Sequence, residues 1–270
     1  KGFDAIYIAT GAGRPKLLNI PGENLPNVFF ANEYLTRVNL MKANNFPEYD
    51  TPTKHGKNVI VFGGGNVAMD VARTSVRLGA KKVSIVYRRR IADMTAQDAE
   101  IAGAQAEGCE ILELTSPLSI VSDGAGSVSG LLVQPQIIGA PKWGRPAPRA
   151  SQEETRVVPC DKVFVAIGQD IEYQSFEAIG IPVQKNRIVT ASDGSIEGFP
   201  GVFSGGDCKT GPSTVIKAIE AGKVAAANID RSLGCDNKVT LNVELPSLKI
   251  KGLRRCGRCE MKERESSERI

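Results

Sequence analysis

The segment Lys57–Arg90, KNVIVFGGGNVAMDVARTSVRLGAKKVSIVYRRR, constrains this chain more than any other. An apolar run leads straight into Gly63-Gly64-Gly65-Asn66-Val67-Ala68, which has the form G-x-G-x-x-A, and then into an amphipathic helical stretch and a second apolar run. In a dinucleotide-binding βαβ unit each small residue has a reason. Gly63 permits the tight strand-to-helix turn, Gly65 lets backbone amides approach a pyrophosphate, and Ala68 permits close packing of helix on strand. The helix N-terminus adds free N–H groups and the positive end of its dipole. The strand before, the helix after and the second strand beyond give the motif the context that a lone glycine cluster lacks. Gly63, Gly64, Gly65, Asn66, Val67 and Ala68 are therefore candidate cofactor-binding residues. The alternative is a glycine turn with a packing role only.

The end of the second apolar run selects the dinucleotide. An NAD site would place an acidic residue there, to accept from the ribose 2′-hydroxyl. Here KVSIVY ends in Arg88-Arg89-Arg90. Guanidinium groups suit a 2′-phosphate, which they bind in bidentate fashion, and they stack on adenine. Position favours Arg88 and Arg89 over Arg90, and the reading is an NADP(H) site. A solvated basic loop is the alternative.

The rest of the chain repeats the alternation of short Val-, Ile- and Phe-rich runs with helical stretches, which predicts α/β architecture with a parallel sheet. Strands are expected at Phe3–Ala9, Asn58–Phe62, Lys82–Tyr87, Val163–Ile167 and Val202–Ser204. Helices are expected at Ala31–Val38, Asn66–Leu78, Ala96–Glu107 and Ser213–Ser232. Gly79 and Gly108 suit left-handed C-caps, and Thr95 with Asp98 resembles a capping box. Between Cys109 and Pro159 the texture becomes that of an antiparallel meander. The polar stretch Asn39–Gly56, with Pro47 and Pro52, reads as an interdomain linker. FDAIYIATGAG and DKVFVAIGQD echo each other as Asp, apolar strand and small-residue turn. Two related dinucleotide domains, one inserted into the other, would produce that echo.

Composition excludes several classes. The 34 Lys and Arg against 30 Asp and Glu leave +4, too little to point to nucleic acid. Most of that excess lies in the last 20 residues, whose seven basic and four acidic side chains suggest a solvated tail. No run approaches the ~18 apolar residues of a membrane span, and no signal-peptide pattern opens the chain. Six cysteines in 270 residues are not a disulfide framework and read as cytoplasmic thiols. The single histidine, His55, argues against histidine triads or a His-rich metal site. Cys256-Gly-Arg-Cys259 supplies half of a tetrahedral metal site, or else an exposed thiol pair. No metal ligand set is assigned.

Beyond these motifs, the chain resembles the glutamate synthase small-subunit family of flavin-dependent NADPH oxidoreductases. The resemblance runs through FDAIYIATGAG, IPGENLPNVFFANEYL, GGGNVAMDVARTSVRLGA with VYRR, ADMTAQDAE, and GVFSGGDCKTGPSTVIKAIEAGKVAAANI. It implies a Rossmann-like NADP(H) domain, residues 56–167, inserted into a partial FAD-binding domain, residues 1–55 and 168–236, with a basic tail at 237–270. It also implies hydride transfer from NADPH to FAD and onward transfer to an electron-accepting subunit or iron–sulfur protein. No protein nucleophile is needed for this chemistry. The last segment of the resemblance would close the flavin site. Gly206 lies in its GGD turn and Gly168 is a further candidate cofactor-binding residue; Asp207 would accept from the ribityl or pyrophosphate region, and Thr214 and Val215 would bring amides to the ring's carbonyl edge. Asp207 as a simple turn residue is the alternative, and Glu100 either lines the nicotinamide pocket or faces solvent. The family's own FAD fingerprint precedes the ATG segment by roughly a hundred residues, so the chain reads as the C-terminal portion of a longer protein. A second reading is a nucleotide-binding and docking module without redox activity of its own.

Overall fold

The computed structural model describes residues 2–52, 56–142, 144–235, 237 and 262–269. His55 and the Cys256/Cys259 pair lie outside the described residues. The described residues form two compact units, 2–16 with 168–235 and 17–167 with 262–269.

In the larger unit, five parallel strands run in the order β3 (Val28–Phe30), β11 (Lys162–Val165), β4 (Asn58–Phe62), β5 (Lys82–Val86) and β6 (Glu110–Leu112). A parallel sheet buried on both faces needs near-continuous apolar strands, which is what β4 and β11 are. Their side chains alternate between two cores. Val59, Val61, Val83, Ile85 and Phe164 meet α1 (Ala31–Leu35), α2 (Asn66–Arg77) and α3 (Asp98–Ala106) through Tyr34, Met69, Val71, Ala72, Ile101 and Ala104. Ile60, Phe62, Val86 and Val163 face the other way, onto Ile120, Val128, Leu131 and Val133. Those four come from β7 (Thr115–Ser122) and β8 (Val128–Lys142), which form an antiparallel sheet with β9 (Arg145–Ala150) and β10 (Arg156–Pro159). Val61, Val71 and Ile85 are fully buried, each stabilising the fold by about 1.5–3 kcal/mol relative to exposure.

Several expectations need correction here. Residues 17–52 belong with this unit and not with the flanking domain. The reason is pairing: β3 adds to the parallel sheet beside β11, Val28 to Val163 and Phe30 to Val165. The expected linker is accordingly structured in part. α1 continues into a π-helical turn at Thr36–Leu40, and Val38 and Ala43 are buried. The start of the expected meander, Glu110–Leu112, is instead the fifth parallel strand, and the antiparallel run begins at Thr115. Helix α3 starts at Asp98 with Gln97 as N-cap, so Thr95 and Asp98 make no capping box. Gly79 and Gly108 do hold positive φ, at 93° and 90°. Residues 262–269 also pack on this unit, where Arg269 Nη1 lies 3.5 Å from Glu107 Oε1.

In the smaller unit β1 (Ile6–Ile8) runs parallel to β15 (Val202–Ser204). β1 is shorter than expected because only its three residues find partners, Val202, Phe203 and Ser204. Two antiparallel pairs, β2 (Arg14–Pro15) with β12 (Gln169–Asp170) and β13 (Val183–Gln184) with β14 (Arg187–Ile188), complete its strands. Helices α4 (Gln174–Ala178), α5 (Asp207–Thr210) and α6 (Val215–Ser232) follow the chain. Its core is Ile171, Ile181, Ile188, Ile196 and Cys208. No helix among the described residues is long and apolar enough to cross a membrane.

Candidate functional site

The glycine loop sits where β4 hands over to α2. The Gly63 amide donates to the Val86 carbonyl at 3.2 Å, extending the β4–β5 ladder by one residue. Gly63 has φ 152°, and a Cβ there would stand 2.3 Å from the Ala166 carbonyl oxygen. A Cβ on Gly64 would stand 2.5 Å from the Tyr87 ring. Both positions therefore require glycine for packing reasons. Gly65 differs. A Cβ there would meet nothing closer than Thr95 Oγ1 at 3.5 Å, so the open space beside it belongs to no protein group.

The turn before α3 fixes the direction of this loop. The Gly64 carbonyl accepts from the amides of Thr95 at 2.9 Å and Ala96 at 3.1 Å, and from Thr95 Oγ1 at 3.3 Å. In a planar trans peptide the C=O and N–H point in opposite directions, so the Gly65 N–H faces away from Thr95. The Gln97 amide donates to Asn66 Oδ1 at 2.8 Å, adding a second anchor. Ala68 and Met69 donate to the Gly65 carbonyl, closing the first turn of α2. The amides of Gly65, Asn66 and Val67 donate to no protein group among the described residues. With no side-chain cap on α2, these amides and the helix dipole are available to an anion. Ala68 is fully buried against the sheet.

At the end of β5 the three arginines separate. Arg90 pairs with Asp93 at 2.9 Å and is committed to its own turn. Arg89 is half-buried and donates from Nε to the Pro146 carbonyl at 2.7 Å. Arg88 has no carboxylate partner among the described residues; partial desolvation of its guanidinium, then the Arg89 charge, pulls its pKa below the ordinary range, and Arg145 adds to the effect. A cation left without a protein counter-charge beside other cations is suited to an incoming anion. Sequence reasoning missed Arg145, whose Nη2 donates to the Asp93 carbonyl at 3.0 Å. No local pattern marks it, since a long hairpin brings it there. Glu100 pairs with Arg73 of α2 at 2.7 Å.

The remaining candidates lie in the smaller unit. Gly168 has φ 100°, and its carbonyl accepts from the Lys16 amide at 3.1 Å, on the β2–β12 ladder. The others gather around α5 and α6. Gly206, with φ 71° and ψ −154°, holds a conformation that only glycine adopts readily, and Asp207 opens α5. Asp207 Oδ1 accepts from the Ser213 amide at 3.1 Å, tying α5 to the entrance of α6. Thr214 caps α6 without a side-chain bond, and Val215 and Ile216 at its first turn are exposed. Gly205, also missed, allows the close approach of Tyr7: a Cβ there would stand 2.4 Å from its hydroxyl.

Residues 2–222 match the profile of the pyridine nucleotide-disulphide oxidoreductase family. The chain belongs to that family. It is 35% identical over 239 residues to the NADP(+)-dependent formate dehydrogenase subunit beta of Moorella thermoacetica, covering 86% of this chain and 32% of that one. It is 33% identical over 238 residues to the glutamate synthase (NADPH) small chain of Escherichia coli K12, covering 84% of this chain and 50% of that one. The chain thus spans a third to a half of the length of these relatives. Among solved structures, Mycobacterium tuberculosis FprA in complex with NADPH superposes with a TM-score of 0.68 at 22% identity, over 86% of this chain and 64% of that one. That likeness establishes a shared fold, with the Rossmann-like parallel sheet described above.

Proposed function

We propose that this oxidoreductase-family chain binds NADPH at Gly63–Ala68 with Arg88 and Arg89, and serves hydride transfer to FAD. Onward electrons would go to a partner subunit or iron–sulfur protein. The observation that carries the reading is the combination, in one βαβ unit, of amides at the start of α2 and an arginine at the end of β5 that have, among the described residues, no acceptor and no carboxylate partner. The amides suit a pyrophosphate and the guanidinium suits a 2′-phosphate. The relatives bearing NADPH or NADP(+) in their names support the same nucleotide.

For FAD, the residues present fit part of the group. The Gly206 torsion lets backbone approach closely, and the second carboxylate oxygen of Asp207 remains able to accept from a hydroxyl. The capless start of α6 offers amides to a carbonyl edge, and its dipole would stabilise negative charge there. FAD, when bound, supplies a two-electron acceptor able to release electrons one at a time. The protein's part is to bind, orient and polarise, with no nucleophile required. Buried Cys109 and Cys160, whose thiols burial pushes up to about 11 and about 12, offer no thiolate.

The test is a visible spectrum of the purified chain supplied with FAD, before and after anaerobic NADPH. Yellow protein bleached by NADPH supports the reading. Colourless protein that binds NADPH supports a nucleotide-binding module without its own redox activity. Protein that binds neither overturns both.

A further inference from the structure

The β8–β9 hairpin reaches from the antiparallel sheet to the loop after β5 and is fastened there at two points. Arg89 Nε donates to the Pro146 carbonyl at 2.7 Å, and Arg145 Nη2 donates to the Asp93 carbonyl at 3.0 Å. The Asp93 carbonyl also accepts from the Tyr87 hydroxyl at 2.9 Å. Gly144, at the hairpin turn, has φ 74°, which lets β9 begin with Arg145. The nearby acidic groups are occupied. Asp93 takes Arg90, and Glu113 Oε2 accepts from the Ile91 amide at 2.7 Å.

The guanidiniums of Arg89 and Arg145 are thus fastened at the loop that Arg88 opens, and none of the three arginines has a salt bridge to a carboxylate among the described residues. Bringing like charges together in this way costs energy that a multiply charged anion would offset. Arg145 spends one N–H on Asp93 and keeps four for another acceptor.

We propose that Arg145 is a specificity-determining residue for the nucleotide's 2′-phosphate, contributed by the β8–β9 hairpin from outside the βαβ unit. This rests on the NADPH reading above. Because the contact is to a group that NADPH has and NADH lacks, its loss discriminates between the two.

The experiment measures dissociation constants of NADPH, NADH and 2′,5′-ADP for the wild-type chain, Arg145→Ala and Arg149→Ala. Arg149 is an exposed arginine on the same strand and controls for net charge. Loss of one charge-assisted contact weakens NADPH and 2′,5′-ADP by about 10- to 100-fold in Arg145→Ala and leaves NADH within about 2-fold. Arg149→Ala changes all three alike and only slightly. If the wild-type chain prefers NADPH and Arg145→Ala keeps that preference, the role of Arg145 is overturned while the NADPH reading stands. If the wild-type chain shows no preference for the 2′-phosphate, both are overturned.

Discussion

The Thr95 amide donates to the Gly64 carbonyl at 2.9 Å, and this contact turns the neighbouring Gly65 N–H away from Thr95. Asn66 supplies the companion bond, accepting from Gln97 at 2.8 Å. Removing that acceptor loosens the loop for any dinucleotide, because the pyrophosphate is common to all. Asn66→Ala is expected to weaken NADPH and NADH equally, by about 2- to 10-fold for one neutral hydrogen bond. Calorimetric titration of both nucleotides checks this, and a selective loss of NADPH would assign Asn66 elsewhere.

Gly63 and Gly65 should separate folding from binding. Alanine at 63 would drive a Cβ to 2.3 Å from a backbone oxygen at φ 152°, costing roughly 1–3 kcal/mol of stability or more. Alanine at 65 meets only ordinary contact and at φ −104° is unstrained. Gly65→Ala is therefore expected to melt near wild type yet bind nucleotide at least about 10-fold more weakly, its methyl filling the space a pyrophosphate needs. Melting curves and titrations of the two variants decide the matter. A Gly65→Ala protein with full affinity would place the nucleotide off this loop.

Glu107 gathers Arg73 at 3.0 Å, Arg77 at 2.7 Å and Arg269 at 3.5 Å around an almost fully buried carboxylate. Burial pushes its pKa up, but hydrogen bonds from Arg77 and Arg73 outweigh that and hold it below the usual carboxylate range. A depressed folded-state pKa contributes stability that is present above the unfolded value and is lost as pH falls through the folded value. Glu107→Gln is expected to cost about 1.5–3 kcal/mol at pH 7, a difference that shrinks as pH drops below the ordinary carboxylate range. Urea unfolding at pH 7 and pH 3 reads it; an equal deficit at both would assign the loss to packing.

The cysteines provide a check on thiol chemistry. With pKa values near 11 and 12, Cys109 and Cys160 remain protonated at pH 8 and are also buried. Cys235 is exposed. Iodoacetamide on the native protein, followed by peptide mapping, should label Cys235 and leave Cys109 and Cys160 unmodified. Rapid labelling of either buried thiol would reopen a cysteine-based mechanism.

The β4–loop–α2–β5 unit was legible because its signals are local. Asn58–Phe62 is apolar enough for a doubly buried strand, and the glycines sit between it and an amphipathic helix. What escaped the sequence depends on distant partners. Val28–Phe30 becomes a strand only beside Lys162–Val165, and Glu110–Leu112 joins the parallel sheet only because β5 offers an edge. Thr95 looks like a helix cap, yet its donors are drawn to Gly64, and Gln97 takes the cap position. Arg145 is one more basic residue in a Pro- and Gly-rich run until the hairpin carries it to Asp93.

The most direct test of the central claim is the ratio of NADH to NADPH dissociation constants, in the wild-type chain and in the Arg88→Ala/Arg89→Ala double variant. Contacts to a 2′-phosphate predict a wild-type ratio of at least about 10 that falls toward 1 in the variant, through loss of NADPH affinity alone. Equal weakening of both nucleotides would contradict it.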